Sequence, residues 1–166
     1  MRIAVSSDDH TPLVDAVIKE IEQRGHEALY FGPRAGEAAA AAHDWPLVTA
    51  QAAQRVADGR ADEAVVLCWT GTGASLAANK VSGVRAALCH DAETARGART
   101  WNHANVLALS LRATSVPIAR EILAAWFSTP FSNDEWNRQQ IERIRQLEDL
   151  SYEQDGAASQ HADDIT

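Results

Sequence analysis

The run Glu63-Ala64-Val65-Val66-Leu67-Cys68-Trp69-Thr70-Gly71-Thr72-Gly73-Ala74-Ser75 decides how this chain folds. Its first half is a short, unbroken apolar stretch of the kind that forms a strand buried on both faces. Gly71-Thr72-Gly73 then turns the backbone into a helix starting near Ala74, because glycine reaches the conformations a tight turn requires. The same strand-then-helix unit recurs on either side. Apolar runs at 2–5, 27–31, 63–68, 84–88 and 105–109 read as strands, with helical patterns at 12–24, 47–57, 74–80, 92–100 and 116–126 between them. In the first helix Leu13, Val14, Val17, Ile18 and Ile21 share one face, while Lys19, Glu20, Glu22, Gln23 and Arg24 face water. Pro12 suits its first turn and Gly25 its end.

Strand–helix alternation predicts an α/β fold, a parallel sheet of about five strands covered by helices on both faces. Ligands of such sheets bind at the carboxyl ends of the strands. That rule selects the loops 6–11, 68–75 and 109–115. A final amphipathic helix is expected over 134–150, with Ile141, Ile144 and Leu147 on one stripe. The alanine- and glycine-rich connection 33–42 reads as a short helix or a loop. Residues 1–150 are expected to form a single domain, and the polar, acidic stretch 151–166 a disordered tail.

Composition narrows the function. At 166 residues the chain buries a core without staples, and its two cysteines, Cys68 and Cys89, imply no disulfide framework. A formal net charge of −8 argues against nucleic acid or an anionic membrane as the main partner. A small anionic substrate stays open, since a few arginines or a helix start suffice to bind phosphate. No stretch has the length of a membrane span, and Ile3-Ala4-Val5 is too short for a signal peptide's apolar region. The expectation is a cytoplasmic protein.

Cys68 ends its strand beside a helix start, a field that favours a thiolate. From spacing alone the run fits equally a buried cysteine followed by a tight turn. A nucleotide-binding P-loop would end in Gly-Lys-Ser/Thr, whereas this turn continues Ala74-Ser75-Leu76. A cysteine-dependent phosphatase loop would place an arginine where this chain has Ala74. A flavodoxin-like or nucleotide-binding domain is disfavoured, because no Gly-x-Gly-x-x-Gly follows the first strand.

Cys68-Trp69-Thr70-Gly71-Thr72-Gly73-Ala74-Ser75-Leu76-Ala77-Ala78-Asn79-Lys80 resembles the signature loop of the type B ribose-5-phosphate and galactose-6-phosphate isomerases. Gly83-Val84-Arg85-Ala86-Ala87-Leu88-Cys89-His90-Asp91 and Asn102-His103-Ala104-Asn105-Val106-Leu107-Ala108 are similar to the two segments that follow it there. The resemblance implies a Rossmann-like α/β/α sandwich, a homodimer or homotetramer with active sites shared between subunits, and no metal or organic cofactor. It also implies an aldose–ketose isomerase of phosphorylated sugars, with the Cys68 thiolate moving a proton through an enediolate. Thr70 and the amides around Gly71, Thr72, Gly73 and Ser75 would hold that intermediate. One subgroup uses a glutamate at the position of Ala74 instead; this chain therefore resembles the cysteine type.

By the same resemblance Asp8, Asn102 and Arg112 would contact substrate, Arg112 at its phosphate. Asp8 could equally cap a helix, and Asn105 reads as structural. The family's histidine after the aspartate falls on Asp9 here, with His10 one position later. Of the basic residues expected near the end, Arg138 is the candidate; Arg143 and Arg145 read as solvated. The departures are aromatic. Trp101 stands where ribose-5-phosphate isomerases carry a ring-opening histidine, Trp69 replaces a glycine, Trp45 a tyrosine, and Trp136 lies among the expected basic positions. Indole N–H only donates a hydrogen bond, so Trp101 transfers no proton. Either His103 or His10 opens the ring, or none needs opening, as for a tetrose 4-phosphate. Ribose 5-phosphate is the family's commonest substrate, and a non-catalytic sugar-phosphate-binding module is the alternative. Trp126 reads as core.

Overall fold

The computed structural model describes residues 1–37 and 40–163. Two compact units result, one of Met1–Phe131 and a second beginning at Ser132. Pro130 lies in a stretch without regular structure before the second unit, where a missing N–H cannot continue the preceding helix.

The first unit is a five-stranded, all-parallel sheet: β1 (Arg2–Ser7), β2 (Glu27–Phe31), β3 (Glu63–Cys68), β4 (Ala86–Leu88) and β5 (Val106–Ser110), in the order β2-β1-β3-β5-β4. The helices are α1 (Pro12–Gln23), α2 (Trp45–Ala57), α3 (Thr72–Ala78), α4 (Ala92–Asn102) and α5 (Val116–Ser128). A short 3-10 turn at Ala41–His43 precedes α2. Strand alternation sends side chains to two layers. Ile3, Val5, Val65, Leu67, Leu107 and Leu109 face α1, α4 and α5, where Val17, Ile21, Ile122, Leu123 and Trp126 meet them. Ala4, Ala64, Val66, Cys68, Val106 and Ala108 face α2 and α3, supplied by Ala52, Ala53, Ala74 and Ala78. The second layer is built mostly of alanine, so α2 and α3 lie close to the sheet. This is the expected α/β/α sandwich.

Boundaries shift where caps decide them. Gly71, at φ 76°, precedes α3 and starts it at Thr72, earlier than Ala74. The chain passes from β1 out to β2 on one side and then crosses back to β3 on the other, so a crevice opens at the carboxyl ends of β1 and β3. In the second unit α6 runs over Glu135–Asp163, past Leu150 and into the expected tail, whose residues 164–166 lie outside the described ones. No helix among the described residues is long and apolar enough to cross a membrane.

Leu107 is fully buried at the sheet centre. Leu107→Ala is expected to cost about 2–5 kcal/mol, read as a lower urea midpoint at unchanged slope. A shift within error would contradict the packing described.

Candidate active site

The end of β3 is stitched into place. The Cys68 carbonyl accepts from the N–H groups of Gly71 (3.2 Å) and Leu111 (3.0 Å). The Trp69 carbonyl accepts from Arg112 N–H (3.0 Å) and Ser110 Oγ (2.9 Å). A Cβ on Gly71 would sit 2.6 Å from Leu88 Cδ1 and 2.9 Å from the Leu109 carbonyl carbon, and the positive φ adds strain for any L side chain. Only glycine makes this turn.

Cys68 is 4 % exposed, on the α2–α3 side of the sheet. Its Sγ accepts the Ala74 N–H at 3.4 Å. The expected cradle of amides from Gly71 to Ser75 is narrower in the structure. Gly71 N–H is committed to the Cys68 carbonyl, Ser75 N–H to the Gly71 carbonyl (3.0 Å), and Ala74 N–H to the sulfur. Thr72 and Gly73 head α3, where an N–H has no intrahelical acceptor. The Thr70 and Thr72 hydroxyl oxygens lie 2.6 Å apart beside them. Trp45 closes this side: a Cβ on Gly73 would lie 3.1 Å from its ring.

A cleft of ≈ 390 Å³ opens next to this turn, lined by Asp8, Asp9, Pro33, Glu37, Trp69 and Leu111. Trp69 is 61 % exposed and forms one wall. Asp8 is no helix cap, for Thr11 holds that position at α1. Its Oδ1 is buried with no hydrogen-bond partner. Burial raises the Asp8 carboxyl above its ordinary 3.8, a backbone hydrogen bond opposes this, and Asp9 and Asp44 add to it. Pro33 and Glu37 follow β2, a loop the sequence reading passed over. The carboxyl-end rule, applied to all strands, would have included it. Tyr30 supports this loop by donating to the Pro33 carbonyl (3.0 Å). Burial, with Asp15, Asp9, Asp8 and Glu37, pushes its phenol up to about 12 and keeps it a donor.

The other candidates divide. Asp9 lies in the cleft wall, whereas His10 Nε2 pairs with Asp15 Oδ1 at 3.0 Å. Arg112 is exposed on the loop after β5, its backbone bound to Trp69. Arg138 belongs to the second unit and pairs with Glu135 (2.8 Å); Trp136 there is exposed. Trp101 and Asn102 close α4 and are exposed at the amino end of β5. Ala64 pairs with Val106 and Cys68 with Ser110, so four residues of strand, about 13 Å, separate their level from the sulfur. One chain does not bring them together with Cys68. Asn105 is structural as expected: its side chain accepts from Arg85 N–H (2.8 Å) and donates to the Gly83 carbonyl (2.9 Å). Cys89 is fully buried; burial, with Asp91, pushes its thiol up to about 12.

A parallel sheet whose central strand ends in a cysteine, its sulfur accepting one amide of the helix that follows, defines an α/β protein. The chain belongs to the Ribose/Galactose Isomerase family, whose model matches residues 3–146. It is 32 % identical over 132 residues to ribose-5-phosphate isomerase B of Escherichia coli, covering 80 % of this chain and 85 % of that one. With D-erythrulose-4-phosphate isomerase of Pectobacterium atrosepticum it shares 41 % over 87 residues, 52 % of this chain and 57 % of the relative. The structure of ribose-5-phosphate isomerase B from Clostridium thermocellum superposes with TM-score 0.84 at 32 % identity, over 91 % of this chain and 99 % of that one.

Iodoacetamide at mildly alkaline pH is expected to leave Cys89 unmodified in the native protein and to label it after unfolding, as read by mass spectrometry. The unfolded chain ionises this thiol near the ordinary 9.0, so its contribution to stability falls as pH climbs from 9.0 towards about 12. Native labelling of Cys89 would contradict both statements.

Proposed function

We propose that this protein interconverts a phosphorylated aldose and ketose, with Cys68 as the base. The observation that carries this is the Cys68 sulfur at the end of β3, accepting the Ala74 amide. The thiolate removes the C2 proton of the open-chain aldose, and the electron pair shifts into the C1 carbonyl to give an enediolate. A proton moves from O2 to O1, and the Cys68 thiol returns its proton to C1, giving the ketose. Thr72 and Gly73 N–H face the developing oxyanion, the role preorganised amides fill best. Asp8, with its unpartnered Oδ1, accepts from sugar hydroxyls, and Arg112 binds phosphate.

The site is completed by a second copy of the chain. Trp101 and Asn102 are exposed far from their own Cys68, and a two-fold dimer would bring them to the partner's. Arg138 is a further candidate phosphate ligand.

The substrate that fits best is a tetrose 4-phosphate. Phosphate on O4 prevents furanose closure, so a ring-opening histidine is superfluous and Trp101 can occupy its place. The indoles of Trp69 and Trp45 narrow the approach to the turn. The Pectobacterium relative, named for erythrulose 4-phosphate, is the more identical of the two over its shorter matched stretch.

Initial rates on tetrose, pentose and hexose phosphates are expected to be highest with erythrose 4-phosphate or erythrulose 4-phosphate. Rapid use of ribose 5-phosphate with none of the tetrose would overturn this choice. Cys68→Ala is expected to lower turnover by at least about 100-fold while sugar-phosphate binding persists. Binding by the native protein without any turnover would instead identify a sugar-phosphate-binding module. Mixing Cys68→Ala and Asn102→Ala chains under subunit exchange should restore roughly a quarter of native turnover. Random pairing makes half of the dimers mixed, each with one intact site. No recovery would exclude the shared site.

A further inference from the structure

We infer that Arg99 is a positioning residue of this isomerase, holding the corner between α4 and β5 so that Trp101 and Asn102 enter the partner's site in one orientation. The inference rests on the shared site proposed above. Arg99 is nearly buried and pairs with Glu63 at 2.7 Å. Its second guanidinium nitrogen donates to the Ala104 carbonyl at 2.7 Å. The guanidinium lies 4.3 Å from the centre of the Phe131 ring and 4.9 Å from that of Trp126. Trp126 Nε1 in turn donates to Glu63 at 2.6 Å. Phe131 stacks its other neighbour, His103, at 4.7 Å and 7°.

Three successive residues of the corner, His103, Ala104 and Asn105, are tied. His103 has φ 48°, the one non-glycine residue with positive φ among those described, and its carbonyl accepts from Arg85 Nε at 2.9 Å. Ala104 N–H donates to the Ala98 carbonyl at 3.0 Å while its own carbonyl takes Arg99. Asn105 bridges Arg85 and Gly83. Trp101 is steered too, since a Cβ on Gly97 would lie 3.0 Å from its ring.

Neither device serves stability alone. A buried ion pair is matched by apolar side chains of similar volume, and a non-glycine residue in left-handed conformation is strained. Both converge on the four residues from Asn102 to Asn105. What this corner offers solvent in one chain is an indole 59 % exposed and an amide. A rigid mount beneath an exposed tryptophan and asparagine fixes a contact made to something else, and misplacement by an ångström is enough to cost an enzyme much of its rate.

The test is a double-mutant cycle on kcat/KM in the full-length, assembled protein. Phe131→Leu removes the ring between Arg99 and His103 without leaving a buried charge unpaired. It is expected to fold and assemble as the native chain does and to lose about 10- to 100-fold in kcat/KM. Phe131→Tyr, which keeps the ring, should retain activity. In an Asn102→Ala background Phe131→Leu should cost much less than in the native chain, because part of its effect runs through Asn102, whereas with Arg112→Ala the losses should multiply. Arg99→Lys, which keeps the charge and loses the fork, should follow the same pattern and serves if Phe131→Leu does not fold. Losses that multiply with Asn102→Ala would overturn the role of Arg99 and leave the shared site standing. An Asn102→Ala chain of full activity would remove the shared-site reading and this inference with it.

Discussion

Two carbonyl oxygens govern this molecule. Those of Cys68 and Trp69 each accept two hydrogen bonds, Cys68 from Gly71 in the following turn and from Leu111, Trp69 from Ser110 and Arg112 at the end of β5 and just after it. A central strand thereby ends at a fixed point, α3 begins four residues later, and the sulfur meets the Ala74 amide. The constraint explains the glycine at position 71, which has Leu88 and the Leu109 backbone where a side chain would go. It also explains why the Gly71 and Ser75 amides are unavailable to a ligand, leaving the donors at Thr72 and Gly73.

The two cysteines illustrate how position sets chemistry. Cys89 lies in the thicker layer of the core, where burial and Asp91 keep its thiol protonated. Cys68 ends a strand beside a helix start, where its sulfur accepts an amide that has no intrahelical acceptor. A similar contrast separates two buried networks. The Leu, Val and Ile layers hold the sheet, while the Glu63–Arg99–Trp126 cluster carries charge into the interior at the foot of α4.

The fold was legible because period and punctuation agree along the chain: unbroken runs such as Val65-Val66-Leu67 for buried strands, the Leu13/Val17/Ile21 stripe for α1, glycines at the turns. Strand order was not, since β4 at the edge outside β5 depends on pairing between distant residues. No apolar stripe announces the extent of α6, because helix needs only local bonding. Within the site, Cys68, Asp8 and the glycine turn followed from the carboxyl-end rule. Glu37 and Pro33 did not, for they lie in a loop without a motif. His10 looked free to replace a lost histidine, yet Asp15, one turn into α1, engages it. The distance of Trp101 and Asn102 from Cys68 needed the strand register.

The central claim is proton transfer by Cys68 through an enediolate. Turnover in deuterium oxide tests it most directly. A thiol that exchanges its proton with solvent should place deuterium at C1 of the ketose formed, detected by proton nuclear magnetic resonance, and Cys68→Ser should abolish both turnover and label. Ketose formed at full rate with no deuterium at C1, or labelling that persists undiminished in Cys68→Ser, would contradict the account.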